Sequence, residues 1–145
     1  MRALLLLLAI AAAPALAQIK IEDGWSRATA PGAKIAAGYL TIRNASKVPD
    51  KLMSASSPAA EKVETHVTVK DGDIFRMREV KGYDIPAGGA FELKPGGAHL
   101  MLVNVKAPLK EGDKVPLTLR FECAGEVKTE LQVGRLTASP GDHKH

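Results

Sequence analysis

The chain has 145 residues, a formal net charge of +4 at neutral pH and a single cysteine. Its basic residues are spread along the sequence and form no patch, which argues against nucleic acid as the main partner. One cysteine cannot form an intramolecular disulfide, so the fold has to be stabilised by its hydrophobic core alone.

The first seventeen residues have the layout of a secretory signal peptide. One arginine precedes an unbroken apolar run, which ends in Ala15-Leu16-Ala17 before Gln18, the small-residue pattern that a signal peptidase recognises. The run is short for a membrane span, and no cysteine stands directly after it, so we expect no lipid anchor on a mature N-terminal cysteine. We therefore expect export to an oxidising compartment and removal of residues 1–17, which leaves 128 of the 145 residues.

The rest of the chain reads as one all-β domain over residues 18–136. Short alternating runs separated by glycine- and proline-rich turns predict an antiparallel β-sandwich or Greek-key β-barrel. Residues 137–145 lose the alternation and are predicted to form a flexible tail. Cys123 lies in a strand-like run and is expected to be a buried, inert thiol. The strands are predicted at 19–28, 36–44, 51–57, 61–69, 73–80, 99–106, 115–123 and 126–134.

Two histidine and methionine pairs follow from β geometry alone. Asp71-Gly72 between two alternating runs predicts a two-residue hairpin turn, in which His66 directly faces Met77 on the more polar side of the hairpin. His99 and Met101 are two residues apart on one strand and point to the same face. Periodicity does not decide whether the two pairs meet, and His66 or His99 taken singly could be an ordinary strand or core residue.

Two imidazoles with two thioethers would select for Cu(I). Thioether sulfur is soft and uncharged, and soft sulfur with imidazole suits Cu(I), whereas Zn²⁺ is usually held by thiolate, imidazole or carboxylate. Methionine is also less vulnerable to oxidation than a thiolate in an oxidising compartment. Met53, in contrast, is interpreted as a packing residue.

The residues from His66 to Met101 resemble a known motif. Their spacing is similar to the H-x10-M-x21-H-x-M motif of the periplasmic copper chaperone family PCu(A)C. Further blocks look like family segments, among them "WSRATAPGAKIAAGYLTIRN", "DGDIFRMREV" and "IPAGGAFELKPGGAHLML". The resemblance covers roughly residues 19–134.

The resemblance implies a cupredoxin-like Greek-key β-barrel that binds one Cu(I) through His66, Met77, His99 and Met101. It also implies a periplasmic, non-enzymatic protein that transfers the ion to a membrane acceptor, either cytochrome c oxidase subunit II during CuA assembly or a thiol-bearing assembly factor. We expect a monomer. His143 and His145 offer a weak second site for Cu(II), although a disordered end is the simpler interpretation.

Two other functions stay open at this stage. A cupredoxin-type electron carrier would share the fold class, but it needs a cysteine thiolate close to histidine and methionine ligands, and no histidine or methionine follows Cys123 until the tail. A metal-free structural β-sandwich module would make the histidine and methionine spacing a coincidence.

Overall fold

The computed structural model describes residues 18–135, and these residues form ten strands and no helix. The predicted signal peptide, residue 136 and the tail with His143 and His145 lie outside the described residues. Within the described part of the chain, no helix is long and apolar enough to cross a membrane. The strands are β1 (Ile19–Arg27), β2 (Ile35–Asn44), β3 (Asp50–Ser56), β4 (Ala60–Asp71), β5 (Ile74–Glu79), β6 (Tyr83–Ile85), β7 (Ala90–Glu92), β8 (Ala98–Val105), β9 (Lys114–Phe121) and β10 (Gly125–Gly134).

Seven of these strands close into a barrel. They follow one another in the order β4, β8, β2, β1, β10, β9 and β3, and the pairing of Ala55 with Val63 joins β3 back to β4. The predicted all-β, cupredoxin-like barrel is thereby confirmed. One pairing differs from the antiparallel expectation, because β1 and β10 run parallel where the first and last strands meet.

The barrel interior determines which side chains point outward on β8. Leu100 and Leu102 are fully buried in the core, and each such side chain contributes about 1.5–3 kcal/mol relative to exposure. Because side chains alternate along a strand, His99 and Met101 lie on the outer face of the barrel. The apolar residues that alternate with them therefore fix the face on which these two side chains lie.

Two short strands escape sequence prediction. β6 and β7 have three residues each, which is too short for an alternating pattern to be recognised. β6 pairs with β3, and β7 pairs with β2 outside the barrel path. β6 matters for the site, because it carries Tyr83.

Cys123 is exposed, and the prediction of a buried thiol is wrong. β9 ends at Phe121, so Cys123 lies in the turn before β10 and not in a strand. The backbone N–H groups of Cys123 and Ala124 donate to the Asp50 carboxylate at 2.8 and 3.0 Å. The pKa of the thiol is raised, first by partial desolvation and then by the negative charge of Asp50, so the thiol stays protonated at neutral pH.

Candidate metal centre

The pairing of β4 with β8 places His66 directly opposite His99. Their ring centroids are 5.6 Å apart, with the ring planes inclined by 34°. Both side chains lie on the outer face of the barrel, yet His66 is only 9% exposed and His99 only 3%. The two histidines that periodicity left apart are therefore neighbours, although more deeply buried than the polar face suggested.

Each imidazole has one nitrogen in a hydrogen bond and one without a partner. His66 Nε2 is 2.9 Å from Glu64 Oε2, and His99 Nδ1 is 3.3 Å from the carbonyl oxygen of Gly97. In the neutral rings these nitrogens carry the proton and donate it, since a carboxylate and a carbonyl can only accept. The buried atoms His66 Nδ1 and His99 Nε2 are left without a hydrogen-bond partner.

Two unpartnered buried nitrogens are costly unless something binds them. Metal-ligating histidines characteristically donate their second ring N–H to a carboxylate or a backbone carbonyl, which fixes the tautomer and the ring orientation. Glu64 and Gly97 occupy those two positions here. The pair is therefore held with its lone pairs available to a metal ion.

Glu64 is a carboxylate that stays ionised. The hydrogen bond from His66 is the largest cause that lowers the Glu64 pKa, followed by Lys62, whose Nζ is 3.0 Å from Oε1. Its negative charge therefore remains beside His66 at neutral pH.

Burial of His99 predicts an acid-sensitive stability. Desolvation lowers the pKa of His99 below its ordinary 6.5, and His66 lowers it further. The folded state therefore resists protonation of this ring, and the free energy of unfolding should fall as the pH drops below about 6.5, until the native pKa has also been passed. Urea unfolding of the metal-free protein between pH 7.5 and 5 measures this loss, and a His99→Gln variant should show a shallower slope. An equal slope in both proteins would contradict the assignment.

Tyr83 connects the backbones of both histidines. Its buried hydroxyl lies 2.6 Å from the carbonyl oxygens of both His66 and His99, and its single proton is shared between these two acceptors. Burial raises the pKa of Tyr83 to about 12, so the hydroxyl keeps its proton. The sequence analysis missed this residue. Tyr83 lies on the short strand β6, and it meets the two histidines only through the tertiary packing of the barrel.

The two methionines lie on the same outer face but on opposite sides of the histidine pair. Met101 is half-buried and lies opposite Glu64, two residues along β8 from His99. Met77 lies opposite Thr68, on the other side of the pair, and is 63% exposed.

The predicted pairing of His66 with Met77 is wrong by one position of the hairpin turn. Asp71 pairs with Ile74, so the turn residues are Gly72 and Asp73, and His66 faces Glu79. A shift of the turn by one residue moves the register by two and so preserves the face. Met77 therefore remains a diagonal neighbour of His66 across the hairpin.

In the part of the chain that the structure describes, thioethers are the soft ligands available on the face of the two histidines. Among residues 18–135, no three side chains of the types His, Cys, Asp and Glu are grouped so that they could hold a metal ion. Cys123 lies in the turn between β9 and β10, where its hydrogen-bond partners are Pro49 and Asp50. Within residues 18–135, a site built on the two imidazoles therefore has to be completed by methionine, and any other ligand has to come from outside the described residues.

An aromatic pair, also missed from the sequence, lies on the outer face beside this site. Trp25 and Tyr39 are buried with ring centroids 4.7 Å apart, and the Arg27 guanidinium lies 5.4 Å from the Trp25 ring. Ala37, which packs against this pair, lies directly opposite Met101. The aromatic pair therefore borders the Met101 side of the site.

Comparison with known proteins relates this geometry to a family. Residues 19–133 match the model of the family described as "Putative lipoprotein LpqE-like". A protein named "Putative lipoprotein Lxx21020", from Leifsonia xyli subsp. xyli (strain CTCB07), is 36% identical over 104 residues, which cover 71% of this chain and 61% of the relative. The chain thus spans about three fifths of the length of that curated relative.

Solved structures agree with this relationship. The copper-bound PCuAC domain from PmoF2 superposes with a TM-score of 0.72 at 29% identity, covering 83% of this chain and 96% of that domain. The Cu(I) form of DR1885 from Deinococcus radiodurans superposes with a TM-score of 0.63 at 30% identity, covering 88% and 83% of the two chains. The sequence-based resemblance is confirmed: the chain belongs to the LpqE-like family and has the fold of a PCuAC domain.

Proposed function

We propose that this protein is an exported copper(I) chaperone, with Cu(I) as its cargo. The observation that carries the proposal is the pair of buried, unpartnered nitrogens, His66 Nδ1 and His99 Nε2, on facing imidazoles. Two of the similar structures, the PmoF2 domain and DR1885, are copper-bound forms. A neutral imidazole whose N–H donates to its hydrogen-bond partner offers the lone pair of its other nitrogen to the ion.

The proposed ligands are His66, Met77, His99 and Met101. Met101 lies beside the histidines already, whereas Met77 has to approach from the other side of the pair. This movement is feasible because β5 is an edge strand, exposed at all six residues and paired only with β4 among the described strands. A two-residue register shift of β5, or a bend of the hairpin, would bring Met77 opposite His66.

The same arrangement suits release of the ion by ligand exchange. An exposed thioether on an edge strand is the ligand that an incoming donor can displace first, after which the buried imidazoles follow one at a time. Glu64 and Gly97 keep both rings oriented throughout, because their hydrogen bonds use the nitrogens that do not face the metal. No substrate bond is made or broken, so the protein acts as a carrier and not as an enzyme.

The proposed route is periplasmic. The predicted signal peptide and the lipoprotein names of the family and of its Leifsonia relative support an exported protein. We propose delivery to a membrane acceptor, either the CuA site of cytochrome c oxidase subunit II or a thiol-bearing assembly factor. The weak Cu(II) site at His143 and His145 stays a prediction.

A trapping experiment tests the chaperone function. The Cu(I)-loaded protein is mixed anaerobically with the purified soluble domain of oxidase subunit II, in the presence of a chromogenic Cu(I) chelator that captures any released ion. Direct handover predicts copper in the acceptor fraction with little chelator colour. If all the copper appears in the chelator at the rate seen without an acceptor, the protein stores copper and does not deliver it to this acceptor.

Replacement of the methionines should separate ligands from packing residues. The double variant Met77→Leu and Met101→Leu is expected to lower Cu(I) affinity by about 100-fold, because leucine keeps the volume but removes both soft donors. Met53→Leu is the matched control, since Met53 is also exposed, at 49%, and lies on β3. Competition titration against a Cu(I) chelator measures both variants, and equal affinities would contradict thioether ligation.

A further inference from the structure

Strand β5 is an unprotected sheet edge next to the proposed copper ligands. Its only sheet neighbour among the described strands is β4, and all six of its residues are exposed. Phe75 and Met77 are 68% and 63% exposed and lie on the face that carries His66. Proteins usually protect such an edge, because it can pair with another chain.

The hydrogen-bond pattern shows which backbone groups of β5 point outward. Val80 N–H donates to the Thr65 carbonyl at 2.9 Å, which makes Val80 and Thr65 a hydrogen-bonded pair of the antiparallel ladder. Such pairs alternate with non-bonded ones, so Arg76 and Arg78 bond inward to β4. Phe75, Met77 and Glu79 therefore present their N–H and C=O groups outward, where no described strand meets them.

The charges of this edge favour an acidic partner. Arg76 and Arg78 lie on the face opposite Met77, and neither forms an ion pair with a carboxylate of the described residues. Lys70 and Lys81 flank the strand at its two ends. With the carboxylates of Asp71, Asp73 and Glu79 included, the segment 70–81 has four basic and three acidic residues, a formal net charge of +1. A strand added here would satisfy the arginines if its residues on that face were aspartate or glutamate.

We infer that β5 docks an extended acidic segment of the copper acceptor by β-strand addition. The inference rests on the proposed function, because it assigns the surface over which the cargo leaves. The partner residue opposite Met77 would lie about 4.5–5.5 Å away between Cα atoms, on the copper face. A thiol or thioether at that position would be placed to displace Met77 from the ion.

A peptide titration followed by NMR tests the docking surface. The probe is a blocked ten-residue peptide that alternates glutamate with valine and carries one central methionine, and the control peptide has lysine in place of glutamate. In ¹H–¹⁵N spectra of the metal-free protein, the acidic peptide should shift the amides of Phe75, Met77 and Glu79 most. The lysine peptide should bind at least about tenfold more weakly, because it repels the two arginines.

Two kinds of variant separate backbone pairing from charge. Phe75→Pro removes an outward N–H while leaving the bonds to β4 intact, and it should abolish binding. Arg76→Glu with Arg78→Glu should weaken binding about tenfold, whereas Lys47→Glu with Lys128→Glu, two exposed lysines outside β5, makes the same charge change and should not.

Four other outcomes would overturn the inference that β5 docks an acidic segment. Equal binding of both peptides, binding that survives Phe75→Pro, shifts centred elsewhere, or pairing of β5 with a second copy of the chain would each contradict it. All variants are also titrated with Cu(I). If the wild-type protein binds Cu(I) tightly but does not bind the acidic peptide, the docking surface alone is overturned. If the wild-type protein does not bind Cu(I) tightly, the proposed function is overturned.

Discussion

Replacing His66 and His99 together by alanine is expected to lower the Cu(I) affinity by more than about 100-fold. The two rings supply the only buried, unpartnered ring nitrogens among the described residues, and in metal sites even the outer partners of ligating histidines contribute 10–100-fold to affinity. Loss of both ligands should therefore exceed that range. Anaerobic competition against a Cu(I) chelator measures the change.

The tail offers a matched control for this variant. His143→Ala with His145→Ala also removes two imidazoles, but from the segment outside the described residues. This variant should still bind one equivalent of Cu(I) with the wild-type affinity. Urea unfolding of the metal-free variants shows whether the His66 and His99 change has only unfolded the protein. A folded variant that keeps wild-type affinity would refute ligation by these histidines, and loss of affinity in the tail variant would relocate the site.

Gly82→Ala is expected to lower the free energy of unfolding by about 3–5 kcal/mol. Gly82 has φ at +88°, and an added Cβ would lie 2.0 Å from the carbonyl oxygen of Leu52. Leu52 pairs with Tyr83 between β3 and β6, so the backbone cannot yield without separating these strands. Since Tyr83 binds the carbonyls of both histidines, Cu(I) affinity should fall as well.

Gly88→Ala separates the effect of backbone strain from the effect of the clash with Leu52 on the free energy of unfolding. Gly88 also has a positive φ, at +63°, but an added Cβ would meet nothing within 4 Å. It should cost only the backbone strain of about 1–2 kcal/mol and leave copper binding unchanged. Urea denaturation compares the two variants, and equal losses would show that the contact with Leu52 is not the cause.

The strands and the faces of the site residues were accessible from sequence. Alternation alone places His99 and Met101 on one side of β8, and Leu100 and Leu102 on the other. The face of Met77 was also predictable, because a two-residue register shift preserves it. The residue opposite Met77 was not predictable, since Asp71-Gly72 and Gly72-Asp73 are both acceptable two-residue turns. The structure adopts the second.

The convergence of the site depends on contacts that no local pattern encodes. β4 and β8 are separated by three other strands in the chain, yet their pairing places His66 beside His99. Tyr83 reaches both histidines from a three-residue strand. The burial of Cys123 was predicted wrongly for a related reason. The strand-like run of residues continues past Phe121, whereas the chain turns after Phe121, where the Cys123 N–H donates to the Asp50 carboxylate.

X-ray absorption at the copper edge of the protein loaded anaerobically with one equivalent of Cu(I) identifies the atoms that bind the ion. Ligation by two histidines and two methionines predicts mixed scattering from two nitrogens and two sulfurs. The sulfur contribution should be lost in the Met77→Leu and Met101→Leu variant, and the imidazole contribution in the His66→Ala and His99→Ala variant. A spectrum without sulfur, or one indifferent to all four changes, would contradict this ligation.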